Sequence, residues 1–168
     1  STPAVLPMTG YTPHPSGDVL AQQRAMARAF NLPVIWGTTP TLDGRSLSVA
    51  RDAAIPAIYA EYLGSGMCDA EGVDAYVNGV LNVMASLGML NCSVDESRVE
   101  IVVEDGSPES GHMQVQNNSP VSGSFEPAVR LGDPIAAGDL IGVVGDIMGD
   151  AAAEIRAAAG GIVLALRS

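Results

Sequence analysis

SLSVARDAAIPAIYAEYLGSG, residues 46–66, holds three signals in succession. The segment around Ser46–Ala53 reads as a short helix. It leads into Ile55-Pro56-Ala57-Ile58-Tyr59-Ala60, an unbroken apolar run with the length and composition of a buried strand. Glu61 stands where that strand should stop, and Gly64-Ser65-Gly66 supplies a turn. A carboxylate at the mouth of a buried strand is either a solvated strand end or a working group held by a rigid element. A helix feeding such a strand is part of an α/β layer, because strands apolar on both faces need helices over them.

Working outward, the first half repeats this alternation. SGDVLAQQRAMARAFN, residues 16–31, has Asp18 as its predicted N-cap, an apolar helical stripe and a closing Asn31. LPVIWG, residues 32–37, is a short buried strand. Asp69 caps a long helix on which Val73, Val77, Val80, Leu81, Met84 and Leu87 share one face. Only two strands are evident in this half, fewer than such a sheet needs, so further strands are expected from chain outside this sequence. After Cys92 the character changes to Gly-Asp turns between short β-rich runs. RVEIVVED, residues 98–105, opens this half. HMQVQN, GSFEPAV, DLIGVVGD and GGIVLAL follow it, as in a small barrel or sandwich. The expected organisation is an α/β part over 1–92 and a β-rich part over 93–168.

Composition narrows the function classes. The chain has 168 residues, 47% of them hydrophobic, enough for a real core. Its formal charge is −11, which makes nucleic acid and anionic membranes poor partners. No apolar run approaches the roughly 20 residues that cross a bilayer, and Ser1-Thr2-Pro3 opens no signal peptide. Cys68 and Cys92 are too few for a disulfide framework and read as small buried hydrophobes of a reduced, cytoplasmic setting. All eight basic residues are Arg. Without a Lys, the Gly-Asp turns of the second half cannot belong to a lipoyl or biotin carrier, and Gly64-Ser65-Gly66 cannot belong to a P-loop.

Taken together, SLSVARDAAIPAIYAEYLGSG, the long helix ending NVMASLGML and the tail VSGSFEPAVRLGDPIAAGDLIGVVGDIMGDAAAEIRAAAGGIVLALR resemble the succinylglutamate desuccinylase/aspartoacylase family. The likeness runs from about Pro7 onward. It implies a partial zinc-carboxypeptidase-like sheet with covering helices, followed by the β-rich part. It also implies a zinc-dependent hydrolase that cleaves the amide of an N-acylated amino acid or a similar small molecule. The family's zinc is held by a His-x-x-Glu pair and a later His. Here the only histidines are His14 and His112, and neither stands in such a motif. The zinc ligands are therefore expected outside this chain, on the N-terminal portion of the enzyme or on a partner chain, and the isolated chain is expected to be inactive. A homo-oligomer is expected as well.

Glu61 matches the family's catalytic Glu, a general base that takes a proton from the attacking water and delivers it to the leaving amine. Relatives grip the substrate carboxylate with an Arg upstream of that Glu, because a guanidinium fork binds a carboxylate at two points. Arg45, in a loop, and Arg51, in a helix, both remain open for the role. His14, between two prolines in YTPHPSG, is a third candidate to line a substrate site. His112 reads as a solvated turn residue. Two other readings stand beside the hydrolase. One is a binding scaffold of the same fold without catalysis. The other is an N-terminal nucleophile at Ser1, its α-amine serving as base.

Overall fold

The computed structural model describes residues 3–41, 43–93, 96–108, 110–111 and 117–166. Ser1, His112 and the expected strand HMQVQN up to Gln116 lie outside the described residues. The chain divides into two compact units. One is formed by 7–62 and 68–111, the other by the described residues of 1–6, 63–67 and 112–168. The expected boundary after Cys92 is therefore not where the chain divides.

The strand β1 (Ala4–Tyr11), which belongs to the first unit from Pro7 onward, lies parallel to β2 (Val34–Gly37), with Met8 beside Val34 and Tyr11 beside Gly37. The strand β4 (Ile101–Glu104) runs parallel to β2 on its other side, with Gly37 beside Glu104. RVEIVVED, assigned from sequence to the β-rich half, thus extends the α/β sheet. On the opposite edge of β1 lies β3 (Tyr59–Gly64). Tyr59 packs on Gly10, near the end of β1, whereas the Ser65 N–H donates to the Pro3 carbonyl, just before β1. These two strands therefore run in opposite directions, and the sheet is mixed. The predicted strand over 55–60 begins four residues later than expected. Pro56 has no N–H to give a ladder, so pairing starts only beyond it, and Glu61 sits inside the strand.

Three helices accompany these strands. The first, α1 (Gly17–Phe30), has Ser16 rather than Asp18 at its N-cap, with Asp18 in the first turn, where a carboxylate complements the helix dipole. Asn31 ends it in the left-handed region at φ 68°. The Asn31 side chain then donates to the Glu96 carbonyl (2.9 Å) and accepts from the Arg98 N–H (2.7 Å), fixing the approach to β4. The short α2 spans Ser46–Asp52. The long α3 (Ala70–Ser86) begins as expected at Asp69, whose side chain accepts from the Gly72 N–H at 2.6 Å. Its buried positions are Gly72, Gly79 and Asn82, not the valine face expected from the sequence. Tyr11, Ala27 and Ile35 form the core between sheet and α1, with Leu20, Ile58 and Val99 packed around them.

In the second unit, β10 (Ala165–Leu166) pairs antiparallel with Ala4 and Val5 of β1. Two small antiparallel sheets follow the Gly-Asp turns. One is β5 (Ser124–Pro127), β7 (Leu140–Gly145) and β8 (Ala151–Arg156); the other is β6 (Pro134–Ile135) with β9 (Gly161–Ile162). Each turn closes on an aspartate: Asp133 accepts from the Arg130 N–H, Asp139 from Ala136 and Asp146 from Met148, all at 2.8 Å. Ile141, Val144, Ile155 and Ala157 are the core. No closed barrel forms among the described residues. Cys68 and Cys92 are free and, contrary to expectation, exposed. No helix among the described residues is long and apolar enough to cross a membrane.

Candidate active site

In β3, Tyr59 and Glu61 stand two residues apart and so point to one face of the sheet. Tyr59 is seated there by a missing side chain. A Cβ on Gly10 would lie 2.2 Å from its Cε1 and 2.5 Å from its hydroxyl, so only glycine lets the ring lie across β1. Burial first and the Glu61 charge second push the Tyr59 phenol up to about 12, and the Arg45 charge opposes the shift. Both charges therefore act on one half-buried hydroxyl. From the helix side, the Tyr76 hydroxyl donates to the Ala60 carbonyl at 2.7 Å and holds β3 against α3. Burial and the Glu61 charge raise that phenol as well. Tyr76 in turn is packed edge-on to Phe30, with ring centroids 5.6 Å apart.

The two candidate arginines differ in what their guanidinium groups already hold. Arg51 donates to the Pro40 carbonyl (2.6 Å), to Asp43 (2.7 Å) and to Asp52 (2.8 Å). It is spent on fixing the loop before α2. Arg45 sits at the N-cap of α2, its backbone N–H donating to the Ser48 hydroxyl at 3.0 Å. Its Nη2 is buried and makes no hydrogen bond. A buried guanidinium nitrogen without an acceptor is costly, and a carboxylate is the acceptor that its geometry fits.

His14 is placed with Arg51 rather than with Glu61. Its Nδ1 accepts from the Ser16 N–H at 3.0 Å, and its backbone N–H donates to the Gln23 Oε1 at 3.2 Å. His14, Arg51, Asp52 and Pro40 line a cavity of about 370 Å³ whose lining includes neither Glu61 nor Arg45. The buried Gln23 also donates to the Thr12 carbonyl at 2.9 Å, so it ties the end of β1 to α1. Sequence reasoning missed Tyr59, Tyr76 and Gln23. The first had a signal: two residues before a candidate base in a strand is the same face.

A second polar row crosses the carboxyl ends of the parallel strands. Tyr11, Gly37 and Glu104 are register partners on β1, β2 and β4. Gly37 leaves the gap through which the Tyr11 hydroxyl donates to Glu104; a Cβ there would meet the Glu104 Cγ at 2.9 Å. Arg24 of α1 grips the same carboxylate with Nε (2.7 Å) and Nη2 (2.5 Å). Arg24 holds the Glu104 carboxyl below its ordinary value, and burial with Glu104 beside it pushes Tyr11 up to about 12. All three members are satisfied by one another, so this row ties helix to sheet. Among the described residues no three His, Cys, Asp or Glu side chains gather as a metal site.

No family model matches the sequence, and no curated protein matches it. Solved structures do match the fold. The product-bound ectoine utilization protein EutE (DoeB) from Ruegeria pomeroyi superposes with TM-score 0.84 at 22% identity, covering 98% of this chain and 49% of that one. A succinylglutamate desuccinylase/aspartoacylase from Rhodobacter sphaeroides gives 0.78 at 20% identity, covering 98% and 49%. An aspartoacylase family protein from Mesorhizobium loti gives 0.70 at 26%, covering 98% and 48%. The fold is thus that of the family the sequence motifs suggested. The chain spans about half the length of the solved structures it matches.

Proposed function

We propose that this chain supplies the proton-transfer and substrate-gripping part of a hydrolase that cleaves the amide of an N-acylated amino acid or a similar small molecule. The observation that carries the reading is the buried Arg45 Nη2, which has no acceptor, together with the Glu61 and Arg45 charges that both act on the Tyr59 phenol. Arg45 is the clamp: its free donor takes the substrate carboxylate. Arg51 and His14 serve the loop and cavity beside it. Glu61 accepts a proton from the attacking water and returns it to the leaving nitrogen as the C–N bond breaks, so one group acts as base and then as acid. The Tyr59 phenol, held neutral at working pH, offers an O–H to the substrate from the same face.

Zinc is the cofactor that the resemblance implies. The described residues do not fit a zinc site, since no ligand cluster forms among them. The ligands belong to a further segment or partner chain.

The test is turnover of N-acetyl and N-succinyl amino acids by the protein as isolated from its source, beside Glu61→Gln. Loss of the rate by about 10²–10⁴-fold, with calorimetric binding of the substrate retained, is the expected result. A Glu61→Gln protein with unchanged turnover sinks the assignment of the base. Binding without turnover in both proteins favours the scaffold reading instead.

A further inference from the structure

Four buried side-chain polar atoms have no hydrogen-bond partner among the described residues. One is the Arg45 Nη2 already described, and another is the Ser110 hydroxyl. The remaining two are the hydroxyls of Thr12 and Thr38, which directly follow β1 and β2 and are each 1% exposed. The Thr38 N–H donates to the Tyr11 carbonyl at 3.0 Å, so the parallel ladder runs one residue past the Tyr11–Gly37 pair. The two threonines therefore lie side by side on neighbouring strands, about 4.8 Å apart. The carboxyl ends of parallel strands are where open α/β sheets bind their ligands.

Principles of packing tie this place to the Glu61 strand. The Gln23 Nε2 donates to the Thr12 carbonyl at 2.9 Å and reaches the Ala57 carbonyl at 3.5 Å. One buried amide thus holds Thr12 beside the chain two residues before Tyr59. The Tyr59 ring in turn lies over Gly10, two residues before Thr12. Thr12, Thr38, Arg45 and Tyr59 all belong to the first unit.

A buried hydroxyl without a partner has given up its hydration for nothing. One oxygen or nitrogen placed between two hydroxyls at this spacing serves both. The character of the group that brings it follows by exclusion. An apolar group leaves both hydroxyls unpaired. A carboxylate would be buried against two uncharged hydroxyls, and a buried charge needs a charged partner; the Arg45 donor is taken by the substrate carboxylate. We infer that Thr12 and Thr38 form a subsite for a neutral amide or hydroxyl at an end of the substrate away from its carboxylate. The inference rests on the hydrolase reading above and adds what the substrate carries: a neutral polar group, on its acyl part or on its amino-acid side chain.

The test uses the protein purified from cells that carry its gene, with Thr12→Val and Thr38→Val beside it. Valine keeps the shape of threonine and removes the hydroxyl. Two substrate pairs locate the polar group. N-acetylasparagine and N-acetylleucine differ in the side chain, and N-glycolylalanine and N-propionylalanine differ in the acyl part. The expected result is a kcat/KM at least about tenfold higher for the polar member of one pair in the parent. Each valine variant loses that preference while melting no lower than the parent, and Thr38→Ser keeps it. Thr12→Ala and Thr38→Ala are read the same way should a valine variant fail to fold. A parent that turns over both members of each pair at equal rates overturns this inference alone, and the hydroxyls then hold only water. A preference that survives in both valine variants overturns it too. A parent that turns over none of the four compounds removes the hydrolase reading and this inference with it.

Discussion

Arg45 and Arg51 lie six positions apart in the sequence and carry the same charge, yet their surroundings give them different work. The first has an unspent buried donor; the second donates to Pro40, Asp43 and Asp52. Arg45→Met is therefore expected to raise KM for an acylated amino acid by about tenfold or more, the loss of a charge-assisted bond of about 1.5–3 kcal/mol, with little change in thermal stability. Arg45→Lys should recover little of it, because an ammonium cannot present a fork. Arg51→Met should do the reverse, lowering the melting temperature through the loop at Pro40 and Asp43. Steady-state kinetics and a thermal melt of the variants separate the two. Gly10→Ala places a Cβ 2.2 Å from the Tyr59 ring. It should cost about 1–3 kcal/mol by overpacking, and Gly10→Ala with Tyr59→Phe should cost nearly as much, since the clash is with the ring and not only the hydroxyl.

At the scale of elements, α3 shows how packing overrides pattern. Its valines at helical spacing promised a buried stripe, but the stripe of small residues is the one covered, by α1 and β3, because Gly72 and Gly79 let Phe30 and Tyr62 come close. Gly79→Ala would gain about 1 kcal/mol of helix propensity in an exposed helix. Here its Cβ meets the Phe30 Cδ1 at 2.7 Å, and a net loss of about 1–2 kcal/mol is expected from the overpacking. Urea denaturation measures it. Phe30→Leu added to Gly79→Ala should return part of the loss; a Gly79→Ala protein more stable than the parent would show that the ring moves freely. The same logic holds at Gly37, whose missing side chain lets the Tyr11 hydroxyl reach Glu104 two strands away.

For the whole molecule, the Tyr11-Glu104-Arg24 row contributes to how stability follows pH at both ends of the range. The folded Glu104 carboxyl lies below its ordinary 4.5, so its contribution is present above that pH and is lost as pH falls through the lowered value. The folded Tyr11 phenol lies at about 12 against an ordinary 10.0. The unfolded chain releases that proton first, so the contribution is full below pH 10 and drains away between 10 and about 12. Urea midpoints at about pH 9 and about pH 11 should differ less in Tyr11→Phe than in the parent. An equal fall in both proteins would mean that the phenol is not the group responsible.

Much of the fold was legible because much of it is local. Asp69 at the head of α3, Asn31 at the foot of α1 and the aspartate turns of the β-rich part act on backbone groups within a few residues, and sequence shows these directly. The candidate base was legible too, as a lone carboxylate in an apolar run. Pairing is not local. Ala4–Tyr11 did not read as a strand, broken as it is by Pro7, and Ile101–Glu104 was assigned to the wrong half because nothing in its composition says that its partner is Val34–Gly37, some 67 residues earlier. What the sequence by itself determined is the order of elements, their caps and turns, and the residue types available for chemistry. The tertiary structure alone decided which face of α3 is buried, which strand closes the sheet and which arginine keeps a free donor. Burial and hydrogen-bond satisfaction belong to groups brought together from distant parts of the chain, and no short window of sequence contains both partners.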